Sequence, residues 1–196
     1  MNKRHYDSGE TRRIIAEKAG KLFAQKGFAA TSIADISRES GFSKGHIYYH
    51  FENKEKLFVA LAKDTMRAWG EKWAAIEPNY PTATEKLYAV ARFAMNNYKT
   101  PLLLVGQELA GSPNTDPETL QQLQRLAETP LGVYGSILRK GIEDGEFGID
   151  DLPSATFLFG TWIGALCPLI FSMEPEVLER LFQQGVDIFL GGIRHK

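Results

Sequence analysis

The chain has 196 residues, of which 43% are hydrophobic and 24% charged, a composition typical of a soluble globular protein and not of a disordered, collagenous or coiled-coil one. Its single cysteine, Cys167, excludes an internal disulfide and favours a reducing cytoplasm. Residues 1–63 carry 12 Lys and Arg against 7 Asp and Glu, whereas residues 64–196 carry 11 against 17. This asymmetry indicates either that the basic part binds a polyanion or that charge is scattered over the surface in the ordinary way.

Three short helices are predicted in the basic part. The first runs over residues 11–26 and ends at Gly27, which suits a left-handed C-terminal cap. The second begins after Ser32, which can form a capping box with Asp35, and ends at Gly41. The third is capped by Ser43 and continues to about residue 50. The side chains predicted to face inward are Ile15, Ala19, Leu22, Phe23, Ile33, Ile36, Ile47 and Phe51.

The remainder of the chain is also predicted to be helical, which makes the fold class all-α. A long helix capped by Asn53 runs without a breaker to about Ile76 and is long enough to bridge two regions. Further helices are predicted over residues 84–99, 101–111, 117–141, 152–173 and 175–191.

Residues 31–58 hold a helix, a glycine turn and a second short helix, which is the helix-turn-helix arrangement. A helix over residues 44–50 is about 10 Å long, short enough to enter a major groove roughly 12 Å wide. With Ile47 and Phe51 directed inward, polar and aromatic side chains suited to phosphates and base edges are left to face DNA. These are Lys44, His46, Tyr48, Tyr49 and His50.

At these residues the chain resembles the TetR family of bacterial transcriptional repressors. The resemblance covers about residues 11–61 and includes Gly27-Phe28, Thr31-Ser32, Ile36, Gly41, Ser43-Lys44-Gly45, Tyr48-Tyr49-His50-Phe51 and Asn53-Lys54. It implies an all-α homodimer with a three-helix DNA-binding head, joined by a long helix to a helical body that dimerises and binds a small inducer. We therefore expect a DNA-binding domain over residues 1–53 and a ligand-binding and dimerisation domain over residues 54–196.

The resemblance also implies which residues contact DNA. Those expected to lie against bases are Lys44, Gly45, His46 and Tyr48. Those expected to hold phosphates are Thr31, Ser32, Tyr49, His50 and Lys54, and Ser43, the cap of the recognition helix, belongs to the same interface. His46 stands where family members commonly carry a small residue or threonine, and we expect it to make a direct contact to a guanine acceptor or a phosphate.

Two motifs in this segment suggest other chemistry. Gly41-Phe-Ser43-Lys-Gly45 matches the G-x-S-x-G pattern of a hydrolase elbow, but polar, helix-like residues precede it where a buried strand is required. His46 and His50 have a spacing that can bind zinc, but Ile47 replaces the glutamate of H-E-x-x-H and no third ligand is evident. We therefore predict no enzyme, no metal and no cofactor, and keep a small α/β hydrolase using Ser43 as an alternative.

Pro153 to Met173 contain no charged residue over 21 positions, which is long enough to suggest a transmembrane helix. Acidic residues flank both ends, and Gly160, Gly164 and Pro168 interrupt the run. A buried helix or a dimer interface produces the same pattern, so we predict no membrane partner. We expect Cys167, which lies in this run, to be a small buried apolar side chain.

Aromatic residues with a few polar ones among them favour a small-molecule pocket in the body, although aromatics at helical spacing more often form a core. The residues predicted to line it are Trp69, Trp73, Phe93, Asn97, Gln107, Tyr134 and Trp162. This set predicts a hydrophobic or aromatic ligand.

The prediction is a cytoplasmic, ligand-responsive repressor that binds a near-palindromic operator as a homodimer. Its partners would be double-stranded operator DNA and a small-molecule inducer. Dimerisation is assigned to the last two helices, through Phe157, Leu166, Leu178, Leu181, Phe182 and Phe189. The alternative hypotheses are a helical adaptor that does not bind DNA and a transcriptional activator.

Overall fold

The computed structural model describes residues 7–97 and 101–193. Within those ranges the chain forms ten α-helices and two 3₁₀ turns, and it contains no β-strand. The predicted all-α fold is confirmed. The helices are α1 (Ser8–Lys26), α2 (Ile33–Ser40), α3 (Lys44–Phe51), α4 (Lys54–Ile76), α5 (Ala83–Asn97), α6 (Pro101–Gly111), α7 (Pro117–Arg125), α8 (Glu128–Glu143), α9 (Leu152–Leu166) and α10 (Pro175–Ile193). The 3₁₀ turns are Glu77–Asn79 and Cys167–Phe171.

The described residues pack into two compact units. The first consists of residues 7–65 and 101–126, and the second of residues 66–97 and 127–193, so that α4 contributes to both. The packing boundary therefore lies within α4, and α6 and α7 belong to the first unit, because Val105 and Leu109 of α6 are buried in its core. The functional division at residue 53 stays a prediction.

Short polar side chains set the helix starts in the first unit. α1 begins earlier than predicted, at Ser8, because the Asp7 carboxylate accepts a hydrogen bond from the Glu10 amide at 2.9 Å. The capping box before α2 is confirmed: the Asp35 amide donates to Ser32 Oγ at 3.1 Å, and the Ser32 amide donates to the Asp35 carboxylate at 3.1 Å. These caps define where α1 and α2 begin.

The core of the first unit contains the inward residues predicted from the sequence. The apolar stripe of α1 is buried, and Phe23 contacts Phe28 and Phe58 with ring centroids 5.4 and 5.7 Å apart. Ile36, Ile47 and Phe51 join the same cluster, whereas Ile33 is half-buried and packs against its edge. The three-helix head is therefore anchored on α4 and α6.

The second unit is built from the rest of α4 with α5, α8, α9 and α10. Gly141 lies where a Cβ atom would be 2.1 Å from the Phe147 ring, so only glycine permits this approach. The adjacent Glu146 carboxylate accepts hydrogen bonds from the amides of Ala83 and Thr84, at 2.7 and 2.9 Å, and so caps α5.

Prolines interrupt two helices that were predicted to be continuous. The helix predicted over residues 117–141 is in fact α7 and α8, because Pro130 has no amide to donate to the carbonyl of residue 126 and its ring clashes with that group. The helix predicted over residues 152–173 ends at Leu166 and passes into a 3₁₀ turn that contains Pro168. The helix predicted to end at residue 99 is followed to Asn97, and residues 98–99 lie outside the described residues.

Candidate nucleic-acid interface and aromatic cluster

The recognition helix α3 is fixed to the head by two apolar side chains. Ile47 and Phe51 are buried in the core of the first unit. On the outside of Phe51, the guanidinium of Arg12 lies 4.9 Å from the ring centroid, a cation–π distance. These contacts leave the opposite face of α3 directed to solvent.

That solvent-facing side carries the residues predicted to contact DNA. Lys44, Gly45, His46, Tyr48 and Tyr49 are all exposed. Tyr48 is 48% exposed and Tyr49 is 80% exposed, which is high for large aromatic residues and is characteristic of a binding surface. The structure thus brings the expected base-contacting residues together on one short helix, and their contacts with DNA stay predictions.

Ser43 caps α3 and contacts His46. Its hydroxyl accepts a hydrogen bond from the His46 amide at 3.3 Å and lies 3.1 Å from His46 Nδ1. The G-x-S-x-G motif therefore sits between two helices, at a helix N-terminus, and not at the end of a buried strand as a hydrolase elbow requires.

His50 is half-buried at the end of α3, and burial is the main reason why its pKa lies below the ordinary value. The positive charges of His46 and Arg12 lower the pKa further. The imidazole is therefore neutral at neutral pH, with one ring N–H to donate. A phosphate nearby would raise the pKa again.

The prediction that Thr31 holds a phosphate through its side chain is wrong in this structure. Thr31 is fully buried, and its Oγ1 donates a hydrogen bond to the Gly27 carbonyl at 2.8 Å. It stabilises the turn before α2 instead. Ser32, the next residue, is exposed at the N-terminus of α2, where backbone N–H groups favour an anion.

Lys54 has a structural role that the sequence did not reveal. Its Nζ donates to the carbonyls of Phe28 and Thr31, at 2.7 and 2.8 Å, and lies 4.1 Å from the centroid of the Phe28 ring. Burial lowers the pKa of this ammonium, and the carboxylates of Glu108 and Glu55 oppose that effect. Since an ammonium has three N–H donors, one is left for the phosphate contact that stays predicted.

Arg12 is a candidate contact that the sequence interpretation missed. It lies on α1, far in sequence from α3, yet its guanidinium lies beside Phe51 and acts on His50. Periodicity places Arg12 on the exposed side of α1, but only tertiary packing brings that side to the end of α3. The guanidinium thus adds a permanent positive charge to the predicted DNA-binding surface.

In the second unit, four of the predicted pocket residues form one chain of ring contacts. Phe93 lies between Trp69 and Trp73, with centroid distances of 5.2 and 5.5 Å, and Tyr134 lies 6.4 Å from Trp69. Trp162 is linked to Tyr134 through Phe159 and completes what we call the aromatic cluster. These six side chains are Trp69, Trp73, Phe93, Tyr134, Phe159 and Trp162.

The two polar pocket residues are placed differently from the expectation. Asn97 donates from Nδ2 to the Phe93 carbonyl at 3.0 Å, so its side-chain amide is used in a hydrogen bond within the last turn of α5. Gln107 is exposed on α6 and belongs to the first unit, so the structure does not group it with the aromatic cluster. In the part of the chain that the structure describes, Nε1 of Trp73 and of Trp162 is buried without an acceptor, which favours a hydrogen-bond acceptor from outside the chain.

The last two helices expose large apolar side chains. Phe157 and Leu158 of α9 are 63% and 62% exposed, and Ile188 of α10 is 78% exposed. By contrast, Leu178 and Phe182 are buried within the protomer, so their prediction as interface residues is wrong. Both lie on the side of α10 that faces its own core, where Phe182 contacts the Trp162 ring at 5.9 Å.

Three further observations concern the alternatives weighed from the sequence. Among the described residues, Leu152–Phe171 is the one segment long and apolar enough to cross a membrane by length and composition, a pattern that also occurs in soluble proteins. No group of three or more potential metal ligands occurs within residues 7–97 and 101–193. Cys167 is buried as expected, and burial raises the pKa of its thiol to about 12, so the thiolate is not formed at neutral pH.

In an all-α chain, α2, the turn at Gly41 and the exposed α3 form the arrangement of helix-turn-helix DNA-binding proteins. Residues 15–61 match the family model for bacterial regulatory proteins of the tetR family, and residues 65–195 match the model for the C-terminal region of QacR-like proteins. The chain belongs to the TetR family of DNA-binding transcriptional regulators.

Relatives of this family resemble the chain over nearly its whole length. The HTH-type transcriptional regulator QacR of Staphylococcus aureus is 26% identical over 89% of this chain and 94% of its own. A TetR-family regulator structure from Mesorhizobium loti has a TM-score of 0.82 at 22% identity, covering 97% of this chain and all of that one. FadR from Bacillus subtilis, solved with stearoyl-CoA, has a TM-score of 0.77 at 23% identity and covers 93% and 99% of the two chains.

Proposed function

We propose that the protein is a cytoplasmic repressor that binds a near-palindromic operator as a homodimer and is released by a small hydrophobic or aromatic ligand. The observation that carries this proposal is the exposed face of α3, where Lys44, His46, Tyr48 and Tyr49 surround a helix held by buried Ile47 and Phe51. Such a helix can enter a major groove without exposing the core.

We infer that the DNA contacts divide into two sets. Lys44, Gly45, His46 and Tyr48 would lie against base edges, because they occupy the first turns of α3. Around them Ser32, Tyr49, His50, Lys54 and, from α1, Arg12 would meet phosphates. Ser43 would keep the first turn of α3 in place.

The exposed apolar side chains of α9 and α10 support a dimer. Phe157, Leu158 and Ile188 are the most exposed large apolar residues of these two helices, and pairing the helices with those of a second copy would bury them in a four-helix interface. A two-fold dimer has two α3 helices, which must meet successive major grooves about 34 Å apart. This requirement predicts the palindromic operator.

The aromatic cluster supports a planar, apolar ligand that carries a hydrogen-bond acceptor. The buried indole N–H of Trp73 has no acceptor in the described part of the chain, and a ligand that replaced part of the ring packing could supply one. Trp69 and Trp73 both lie on α4, the helix whose first residue is Lys54. A ligand that displaces these indoles would therefore act on the helix that supports the head, and by linkage DNA and ligand would weaken each other equally.

The test is retrieval of genomic fragments by the purified protein, followed by nuclease footprinting and a salt titration. We expect a protected two-fold symmetric site, and an affinity that falls steeply as salt rises. Tyr48→Ala should lose affinity for the site, whereas Glu71→Gln, an exposed change on α4 beyond the head, should not. A monomer in solution, or equal binding to every fragment at low salt, would refute the proposal.

A further inference from the structure

The turn between α1 and α2 is held by a carboxylate from α6. Glu108 Oε2 accepts a hydrogen bond from the Phe28 amide at 2.9 Å, and Oε1 accepts one from the Ala29 amide at 2.9 Å. All three residues lie in the first compact unit. Two parallel hydrogen bonds to one carboxylate define both the distance and the orientation of the turn relative to α6.

The same turn is held from α4 by the ammonium of Lys54. Its bonds to the carbonyls of Phe28 and Thr31 use the acceptors of the turn, while Glu108 uses its donors. Thr31 precedes Ser32, the residue that caps α2. The start of α2 is thus connected through four charge-assisted hydrogen bonds to two other helices.

The residue at the beginning of the turn, Gly27, leaves room for the Glu108 carboxylate. Gly27 has φ +80°, and a Cβ atom there would lie 3.2 Å from Glu108 Oε2. A side chain would press on the carboxylate and would also strain the backbone. The short distance between the turn and the Glu108 carboxylate therefore favours glycine at position 27.

From these contacts we propose that Glu108 is a positioning residue for DNA binding: by fixing the turn before α2, its carboxylate holds the helix-turn-helix in the geometry that enters DNA. The inference rests on the proposed function.

The direction in which DNA affinity changes distinguishes a positioning role of Glu108 from an effect of its negative charge alone. An acidic side chain on a DNA-binding unit repels phosphates, so removing one should leave affinity unchanged or increase it. Glu108→Gln should instead weaken binding by about tenfold, within the usual range of coupling between sites, because one amide of the turn would then face an NH₂ group. Glu108 itself is exposed, so the neutral amide of the variant is not buried without hydrogen-bond partners.

The experiment compares wild type, Glu108→Gln and Glu118→Gln on the duplex fragment that wild type retrieves from genomic DNA. Glu118 is an exposed acid of the same unit that pairs with Lys56 at 2.7 Å and does not contact the turn. Fluorescence anisotropy measures affinity, and hydrogen exchange reports on the Phe28 and Ala29 amides. We expect Glu108→Gln alone to lose affinity and to exchange these amides faster.

Wild-type or tighter binding by Glu108→Gln, equal changes in both variants, or unchanged exchange at the two amides would overturn the assignment. If Glu108→Gln lacks the helix content of wild type, Glu108→Asp replaces it: it keeps the charge, shortens the reach by one methylene group and should also lose affinity. Wild-type affinity in Glu108→Asp would equally overturn the assignment. Failure of wild type to retrieve any fragment would instead count against the proposed function.

Discussion

The two compact units stabilise their functional surfaces with different interactions. Around the predicted DNA-binding surface, the turn before α2 is held by directional bonds from Lys54 and Glu108 and by the capping box of Ser32 and Asp35. In the second unit the side chains of the aromatic cluster are joined by ring contacts, with centroid distances between 5.2 and 6.4 Å.

The comparison indicates that the two units differ in how strictly their interactions define a geometry. A hydrogen-bonded turn has one correct geometry, since bonds weaken steeply as their angles change. Aromatic packing is less directional, and volume can be redistributed among neighbouring rings at lower cost. A rigid DNA-binding surface and an adaptable ligand-binding surface are therefore expected in the first and second units, respectively.

The largest expected effect tests the exposed apolar faces of the second unit. Ile188→Glu places a charge at a 78% exposed apolar position of α10, and we expect it to convert the dimer into a monomer. Operator affinity should fall by about 10²- to 10⁴-fold, because the two heads would no longer bind as one unit. Sedimentation velocity and DNA titration measure the two effects.

The matched control is Gln183→Glu, which places the same charge at another exposed position of the same helix. Gln183 lines a groove against α5 and so faces away from the proposed interface. It should remain dimeric, and a dimer in Ile188→Glu at the same concentration would argue against this interface.

The next effect tests the core of the head. Phe23→Ala removes a fully buried ring that contacts Phe28 and Phe58, and it should lower the free energy of unfolding by about 3–5 kcal/mol. Urea unfolding followed by circular dichroism measures the loss.

Tyr49→Ala, at an 80% exposed position of the same unit, serves as the comparison. It should change the free energy of unfolding by less than about 0.5 kcal/mol but reduce DNA affinity. Similar stability losses in both variants would mean that the exposed face of α3 is part of the core.

Lys54→Met tests how much the directional hydrogen bonds of the turn stabilise the protein compared with a surface ion pair. It removes the two hydrogen bonds to the Phe28 and Thr31 carbonyls, and the free energy of unfolding should fall by about 2 kcal/mol. Lys56→Met removes only an ion pair with exposed Glu118 and should cost less than about 1 kcal/mol. If urea unfolding gives equal losses of unfolding free energy for the two variants, the hydrogen bonds of Lys54 do not stabilise the turn more than a surface ion pair does.

The smallest effect concerns the capping box at low pH. Hydrogen bonds from the Ser32 hydroxyl and amide, and then from Arg38, hold the pKa of Asp35 at about 2, below its ordinary value of 3.8. A lowered pKa means that the carboxylate stabilises the folded state above pH 3.8 and loses this contribution as pH falls towards 2.

We therefore expect the stability difference between wild type and Asp35→Asn to shrink over that interval, as measured by thermal unfolding. Glu39→Gln, on the same helix but outside the cap, is the control. A difference that stays constant with pH would exclude this contribution of Asp35.

Local sequence was sufficient to predict the DNA-binding head in some detail. The caps at Ser32 and Ser43 and the inward pair Ile47 and Phe51 depend on spacing within one helix, so they could be identified without tertiary information. The cause of the break between α7 and α8, Pro130 in the first turn of α8, was also present in the sequence, but helical periodicity on both sides concealed the break.

Roles that depend on distant partners were assigned less well. Thr31 was predicted to hold a phosphate but bonds to Gly27 instead. Lys54, whose phosphate contact stays a prediction, also donates two hydrogen bonds to the turn, a role that its local sequence did not indicate. Leu178 and Phe157 have the same apolar character, yet one is buried in the protomer and the other is exposed. Composition does not specify which side of an apolar helix packs against the core of its own protomer.

The sequence by itself determined the all-α class, the helix-turn-helix and its exposed residues, because helix caps and 3.6-residue periodicity are local properties of the chain. Tertiary structure alone decided that α6 joins the DNA-binding unit and that Glu108 meets the turn before α2, 79 and 80 residues away in sequence. The physical reason is that a carboxylate finds its backbone donors only after both helices have packed on a common core.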